Sequence, residues 1–412
     1  MIKKIIFLLL VAIFTTVLHA QKKTLEIYLN SSLSYSPLLK DYQNQVIANQ
    51  LDSIRIRATY GPQVTGNSFN SYAPVIYGYG YDGAITNGAN VSALVGVNKT
   101  LIGQRNLQSK FETLRLASAS IQNNSKISEQ DLKRTITGQY VTTYGDQQQL
   151  RFSQEIYSML AKEDTILKQL TQRNVYRQTD YLTFLVTLQQ QALALRQQHI
   201  QLQIDFATLN YLSGIEDTVT AELEYPGLNL PTLPSPQESV FFHQYTLDSL
   251  KIRNERTVLD FSYKAKVNVF ADAGYNSSLA YLPYKNFGTS FGFSVTVPIY
   301  DGHQRNIQYH KLDISERTRK NYQEFFTHQY NQQVAQLMQQ LKGTQELIDQ
   351  IGQQIRYSEG LIQANSKLLV TGDVRIADMI IAINNYLTAK NLLTQNTVSR
   401  LQIINQINYW NR

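Results

Sequence analysis

From Asn286 to Gly302 the chain reads NFGTSFGFSVTVPIYDG, and its positions alternate. Phe287, Thr289, Phe291, Phe293, Val295, Val297 and Ile299 share one parity; Gly288, Ser290, Gly292, Ser294, Thr296 and Pro298 share the other. A period of two over about a dozen residues predicts a β-strand with one apolar face and one small, polar face. About sixty residues after it read as one long Gln-rich helix.

The same plan occurs twice, at an offset near 200 residues. GQRNLQ at Gly103–Gln108 returns as HQRNIQ at His303–Gln308, each time after an alternating strand. The earlier strand sets Val91, Ala93, Val95 and Val97 against Ser92, Gly96 and Asn98. Another strand is predicted ahead of it in each copy, RATYGPQVTGNSF from Arg57 and KAKVNVFADAGYN from Lys264. In the latter, Val267, Val269, Ala271, Ala273 and Tyr275 share a face. The first long helix is expected from about Gln104 to Arg173, on the order of 100 Å at 1.5 Å per residue.

Each long helix then meets a turn, NVYRQTDYL from Asn174 and GDVRIADMI from Gly372. At an offset of 198, Asn174 falls on Gly372, Arg177 on Arg375 and Asp180 on Asp378. Asn and Gly are the residues that best tolerate positive φ, so both copies place a helix-ending residue at the same point. The returning helix carries a stripe at alternating three and four spacing: Leu185, Leu188, Ala192, Leu195, His199, Leu202, Phe206 and Leu209. Ile376, Ile380, Ile383 and Leu387 begin the same spacing in the second copy. This is a coiled-coil seam, which pairs helices without building a thick core. EYPGLNLPTLPSP at Glu224–Pro236 reads as a linker, because its four prolines exclude helix and central strand.

The resulting organisation is a signal peptide over 1–20, a first repeat over 21–213 with strands at about 57–101, a linker over 214–236, and a second repeat over 237–412 with strands at about 264–300. The signal peptide rests on Lys3 and Lys4, the apolar run Ile5 to Val17, and Leu18-His19-Ala20 before Gln21; a retained membrane anchor is the alternative. Beyond it no apolar run is long enough for a spanning helix, so an exported chain of this kind is soluble or crosses a membrane as a β-barrel. The 412 residues contain no Cys, which excludes disulfides, thiol chemistry and Cys metal sites. A net charge of +7 with only 17% charged residues and no dense basic block gives no sign of nucleic-acid binding. The 27 Tyr change the picture more. Many fall in the strand regions, at Tyr60, Tyr72, Tyr77, Tyr79, Tyr81, Tyr275, Tyr281 and Tyr284, as at a membrane–water boundary or on a Tyr-rich soluble sheet.

Four strands of about 10–13 residues have the length that crosses a bilayer when tilted. Four cannot close, however, and open edges in lipid leave backbone groups unpaired at several kcal/mol each. The expectation is therefore an oligomer that pools its strands, with the long helices arranged in a ring by the same symmetry.

The strand–strand–long helix order, the PIYDG turn at Pro298–Gly302, the internal repeat and GDVRIADMIIAINNYLTAKNLL at Gly372–Leu393 together resemble the TolC family of outer-membrane efflux proteins. The resemblance covers nearly all of the chain after the signal. It implies a mainly α fold with a membrane β-barrel: a homotrimer with a 12-strand outer-membrane barrel, four strands per protomer, continuous with a long periplasmic α-helical barrel. It implies a passive duct in the outer membrane of a Gram-negative bacterium, for tripartite efflux or type I secretion. The implied partners are a periplasmic adaptor (membrane fusion) protein, an inner-membrane transporter of RND, ABC or MFS type, and outer-membrane lipid.

By the same resemblance Asp378 matches the first aspartate of the family's I-x-D-x-x-D pattern, and three copies would ring the periplasmic entrance; an early-helix Asp favoured by the macrodipole is the plainer reading. The second aspartate of the pattern is Ile381 here. Asp180 and Arg375 are candidates for ionic links holding that entrance shut. Asn174, Val175, Tyr176 and Arg177 of one turn, with Gly372, Asp373 and Val374 of the other, are the expected adaptor contacts.

No hydrolase, P-loop, zinc-protease or EF-hand pattern occurs, the six His form no defensible metal set, and no enzyme activity, cofactor or nucleic-acid partner is expected. Two rivals remain: a trimeric coiled-coil adhesin anchored by a barrel, and a soluble periplasmic binding protein or enzyme.

Overall fold

A computed structural model describes residues 23–82, 85, 88–217, 219–230, 239–280 and 282–410. The expected signal peptide, most of the linker prolines and Tyr281 lie outside the described residues. In chain order the elements are α1 (Leu25–Tyr35), α2 (Pro37–Thr59), β1 (Gln63–Tyr72), β2 (Ala89–Leu101), α3 (Gln104–Gln172), α4 (Gln178–Leu212), α5 (Val240–Ser262), β3 (Lys266–Ser277), a 3-10 turn (Pro283–Lys285), β4 (Phe287–Thr296), α6 (Gln304–Thr371) and α7 (Ile376–Trp410). Among the described residues no helix is long and apolar enough to cross a membrane.

One boundary differs from the sequence expectation. Arg57–Thr59 belong to helix α2, and β1 starts only at Gln63. Arg and Ala favour helix, and the chain breaks where Gly61 and Pro62 withdraw that preference. The Gln63 side chain then turns back, its Nε2 donating to Ala58 O at 2.8 Å, and satisfies a terminal helix carbonyl.

Two compact units make up the chain. One comprises residues 40–125 and 241–325; the other comprises the described parts of 1–39, 126–240 and 326–412. Each draws on both sequence repeats.

The first unit holds an antiparallel sheet in the order β1-β2-β3-β4. Directly opposed residues share a face, and the register puts Val97, Ala271 and Phe291 in one row and Gly96, Asp272 and Ser290 in the next. The apolar parities of β2, β3 and β4 therefore coincide on one face, and that face is bare: Phe287, Phe291 and Phe293 are 74%, 88% and 73% exposed. β1 is the exception, since Gly66, Ser68 and Asn70 lie between Val64 and Tyr72 on that face. It forms one edge and β4 the other, and neither outer edge has a strand partner among the described residues. At Gly274, φ is +152° and an added Cβ would run into the backbone carbonyl oxygen of Ala93 and within 3.0 Å of Leu94 Cα.

After β4 the PIYDG turn is shaped by Asp301. Its carboxylate accepts from the backbone N–H of His303 at 2.9 Å and of Arg305 at 2.8 Å, starting α6. Nearby, Arg305 pairs with Asp260 at 3.1 Å and Arg256 with Asp313 at 3.2 Å, tying α5 to α6.

The second unit is helical. Tyr28, Ile136, Tyr140, Phe206, Leu209 and Leu223 form one buried cluster. Within it the Tyr140 hydroxyl lies 2.9 Å from Lys23 O and 2.7 Å from Glu224 O, where Lys23 and Leu223 form a parallel bridge. Burial pushes the Tyr140 pKa up, so the hydroxyl stays a donor. α3 and α7 approach closely along Gly138 and Gly145. Gln402 Nε2 donates to Gly138 O at 2.8 Å, and Asn405 Nδ2 donates to Arg134 O at 2.9 Å.

Between α3 and α4 two carboxyl groups meet. Burial, then a hydrogen bond and charge from Asp205, push the Asp146 pKa up to about 7. Burial works against the Asp205 carboxylate, but hydrogen bonds from Asp146, Gln201 and Gln139 hold its pKa below the ordinary value. The pair is therefore most stable with one shared proton. Because the folded pKa of Asp146 is raised, its contribution is fully present below the unfolded value near 3.8 and is lost as pH rises through about 7. The Asp205 contribution is lost only as pH falls below 3.8. Thermal unfolding followed by helical circular dichroism is thus expected to show a falling midpoint from pH 5 to pH 8, and Asp146→Asn is expected to flatten that fall. An unchanged slope in the variant would refute the shared proton.

Candidate functional site

The two helical turns at 172–178 and 371–376 are built alike. Asn174 has φ +61° and Gly372 has φ +82°, the left-handed region that ends a helix. Val175 N donates to Leu170 O at 3.0 Å and Asp373 N donates to Leu368 O at 3.1 Å, the same six-to-one bond of a Schellman cap at the same 198 offset. On the other side of each turn, Arg177 O accepts from Asp180 N and Tyr181 N, and Arg375 O accepts from Asp378 N and Met379 N. Asp180 and Asp378 each sit in the first turn of their helix, where the macrodipole favours a carboxylate.

The turns also touch. Val175 Cγ1 lies 3.0 Å from where a Cβ on Gly372 would stand. The Tyr176 hydroxyl lies 2.9 Å from both Leu369 O and Val374 O, so one tyrosine seals the carbonyl end of the neighbouring turn. Val374 occupies the equivalent position at the 198 offset, so this seal runs one way only. Burial, and then the Asp373 charge, push the Tyr176 pKa up.

Behind the turns lies a buried cluster of Leu160, Leu167, Phe184, Leu369, Ile376, Met379, Ala382 and Ile383. Tyr181 donates to Asp164 Oδ1 at 3.0 Å at its margin. Phe184 and Met379 are fully buried, yet neither belongs to the stripe read from the sequence. The signal for Phe184 was its place beside Leu185: a straight helix of 3.6 residues per turn drifts off a strict heptad.

The acidic and basic candidates are placed differently from the expected pairing. Arg375 holds Asp378 through two bonds, Nε to Oδ2 and Nη2 to Oδ1, each 2.9 Å. That hydrogen bonding, against a small burial effect and helped by the guanidinium charge, keeps the Asp378 carboxyl below its usual range. Among the described residues no ion pair joins Arg375 to Asp180 within the chain; Arg375, just ahead of α7, pairs with Asp378 in that helix's first turn. Asp180 and Arg177 are exposed, and so is Ile381.

No protein-family model matches the sequence, and no curated protein sequence matches it either. Solved structures do match in fold. The outer-membrane channel OprN has a TM-score of 0.77 at 14% identity, over 95% of this chain and 90% of that one. CusC, described through its folding and transmembrane channel formation, has a TM-score of 0.78 at 11% identity, over 95% and 92%. The outer membrane protein VceC of Vibrio cholerae has a TM-score of 0.72 at 12% identity, over 94% and 96%. Four antiparallel strands, two very long helices and two returning helices thus give this chain, over nearly all of its length, the TolC-like fold of outer-membrane channels.

Proposed function

We propose that the protein is an outer-membrane exit duct of a Gram-negative efflux system, working as a homotrimer. The observation that carries this reading is the bare apolar face of a four-stranded sheet whose two outer edges have no strand partner among the described residues. Such a sheet has no place as a single copy in water, and in lipid its edges must be paired. Three copies supply twelve strands, enough to close a barrel. The likeness to outer-membrane channels supports the same assembly.

In this reading the two repeats, 21–213 and 237–412, each provide a strand pair and a helical hairpin, joined by the segment 214–236. The helices form a periplasmic conduit. Transport is passive, driven by an inner-membrane transporter of RND, ABC or MFS type, or by a type I secretion pump. The paired turns, with Asn174, Val175, Tyr176, Arg177, Gly372, Asp373 and Val374, meet the periplasmic adaptor. Asp378 from three copies rings the entrance. Arg375 neutralises part of that ring, and the loss of a second carboxylate at Ile381 weakens it further. Asp180 is available as an acceptor for a neighbouring protomer.

The test combines native mass spectrometry of the detergent-extracted protein with single-channel recording in planar bilayers. A trimer with discrete conductance steps is expected. A monomer that needs no detergent and conducts nothing would overturn the proposal.

A further inference from the structure

The polar face of the sheet carries Gln63, Thr65, Asn67, Phe69 and Ser71 from β1, and Asn90, Ser92, Leu94, Gly96, Asn98 and Thr100 from β2. From β3 and β4 it carries Lys266, Asn268, Phe270, Asp272, Gly274 and Asn276, with Gly288, Ser290, Gly292, Ser294 and Thr296. Only two of these residues are charged. Lys266 opens β3 at its end, while Asp272 stands in the middle of the strand. Six residues of strand separate them by roughly 20 Å, too far for the ammonium to neutralise the carboxylate.

Asp272 is held and left open. Ser290 Oγ donates to its Oδ2 at 2.7 Å across the β3–β4 pair. On the other flank it faces Gly96, which has no side chain, and beyond that Thr65. The one large neighbour on β3, Phe270, leans toward β4, where its ring lies 2.7 Å from the Cβ position of Gly292. Among the described residues no ion pair reaches Asp272. A single carboxylate on a wetted sheet face is ordinary in a soluble protein. In a strand that crosses a bilayer the same polar face lines the water-filled lumen, where a charged side chain tunes what passes.

We infer that Asp272, repeated in three copies at one level of the barrel lumen, sets a preference for cations over anions in the outer-membrane part of the duct. The inference rests on the proposed trimeric barrel. The carboxylate needs no metal and no covalent step; it raises the local concentration of cationic solutes and ions and lowers that of anions. Positively charged cargo gains from it, and acidic cargo is opposed by it.

The experiment is reversal-potential measurement across a KCl gradient in planar bilayers, with the purified trimer at about 0.1 M on the dilute side, where the screening length of about 10 Å is half the separation of Lys266 from Asp272. The wild type is expected to show a potassium-to-chloride permeability ratio above one. Asp272→Asn keeps an acceptor for Ser290 and is expected to bring the ratio toward one without changing trimer mass. Asp272→Glu should keep the wild-type ratio, and Asp272→Lys should invert the preference. Asp378→Asn, measured alongside, reports any contribution from the helical end. An Asn variant that conducts with the wild-type ratio would overturn the inference while leaving the duct intact. A wild type that never conducts would instead remove the duct reading.

Discussion

Gly274→Val is expected to abolish assembly of the proposed trimer. Gly274 lies opposite Leu94 of β2 and Gly288 of β4, on an inner strand of the sheet paired on both sides. Its φ of +152° is a conformation that side-chain-bearing residues rarely adopt, and the atoms in the way of a Cβ are the Ala93 carbonyl oxygen and Leu94 Cα. These are backbone atoms, so no rotamer change relieves the clash, and the β2–β3 seam must part. In the proposed membrane barrel each unpaired backbone group would then cost several kcal/mol. Semi-native electrophoresis or native mass spectrometry should show no trimer, and outer-membrane fractions should hold little of the variant. Gly288→Val is the control: nothing lies within 4 Å of the Cβ position there, and the trimer should persist. Assembly of the Gly274 variant at wild-type levels would refute the geometry.

Phe184→Ala is expected to have the second largest effect, on the helical unit. The ring is fully buried among Leu167, Leu369, Ile376, Met379 and Ile383, where the starts of α4 and α7 meet the ends of α3 and α6. Truncating a buried Phe costs about 3–5 kcal/mol through lost burial and the cavity left behind. The denaturant midpoint of the helical signal should fall accordingly. Amide exchange should accelerate at the two turns before it does elsewhere in the unit, since they stand directly on this cluster. Leu182→Ala, at a position that is 50% exposed, should change little. Equal midpoints for wild type and Phe184→Ala would show that the cluster does not support the turns.

The sequence revealed most clearly what depends on local periodicity. The long helix was expected from about Gln104 to Arg173 and runs Gln104–Gln172. The alternation at Phe287–Val295 and Val91–Val97 marked strands and told which parity is apolar, because strand side chains alternate whatever the tertiary context. Positive φ at Asn174 and Gly372 was legible because few residues tolerate it.

What was not legible depends on partners far away in the chain. Nothing near Tyr140 indicates that its hydroxyl meets the carbonyls of Lys23 and Glu224, and nothing near Asp146 indicates Asp205. Asp180 and Arg375 were candidates for an ionic link through the family resemblance, yet the first turn of the helix that follows Arg375 supplies it with Asp378. The start of β1 was misplaced because three strand-compatible residues also extend a helix well, and only Gly61 and Pro62 decide between the two.

The β2–β3 pairing has a consequence for how the chain reaches this state. It joins Leu101 to Val267 and Val91 to Ser277, closing a loop of about 170 residues, whereas β1–β2 and β3–β4 are local hairpins. Loop-closure entropy makes that middle seam about 2 kcal/mol harder to initiate than either hairpin. Each hairpin can therefore form without the seam, which has to wait until the second half of the polypeptide has been made. Until then β2 and β3 present raw edges, which under the proposed function must be shielded from other sticky chains on the way to the outer membrane.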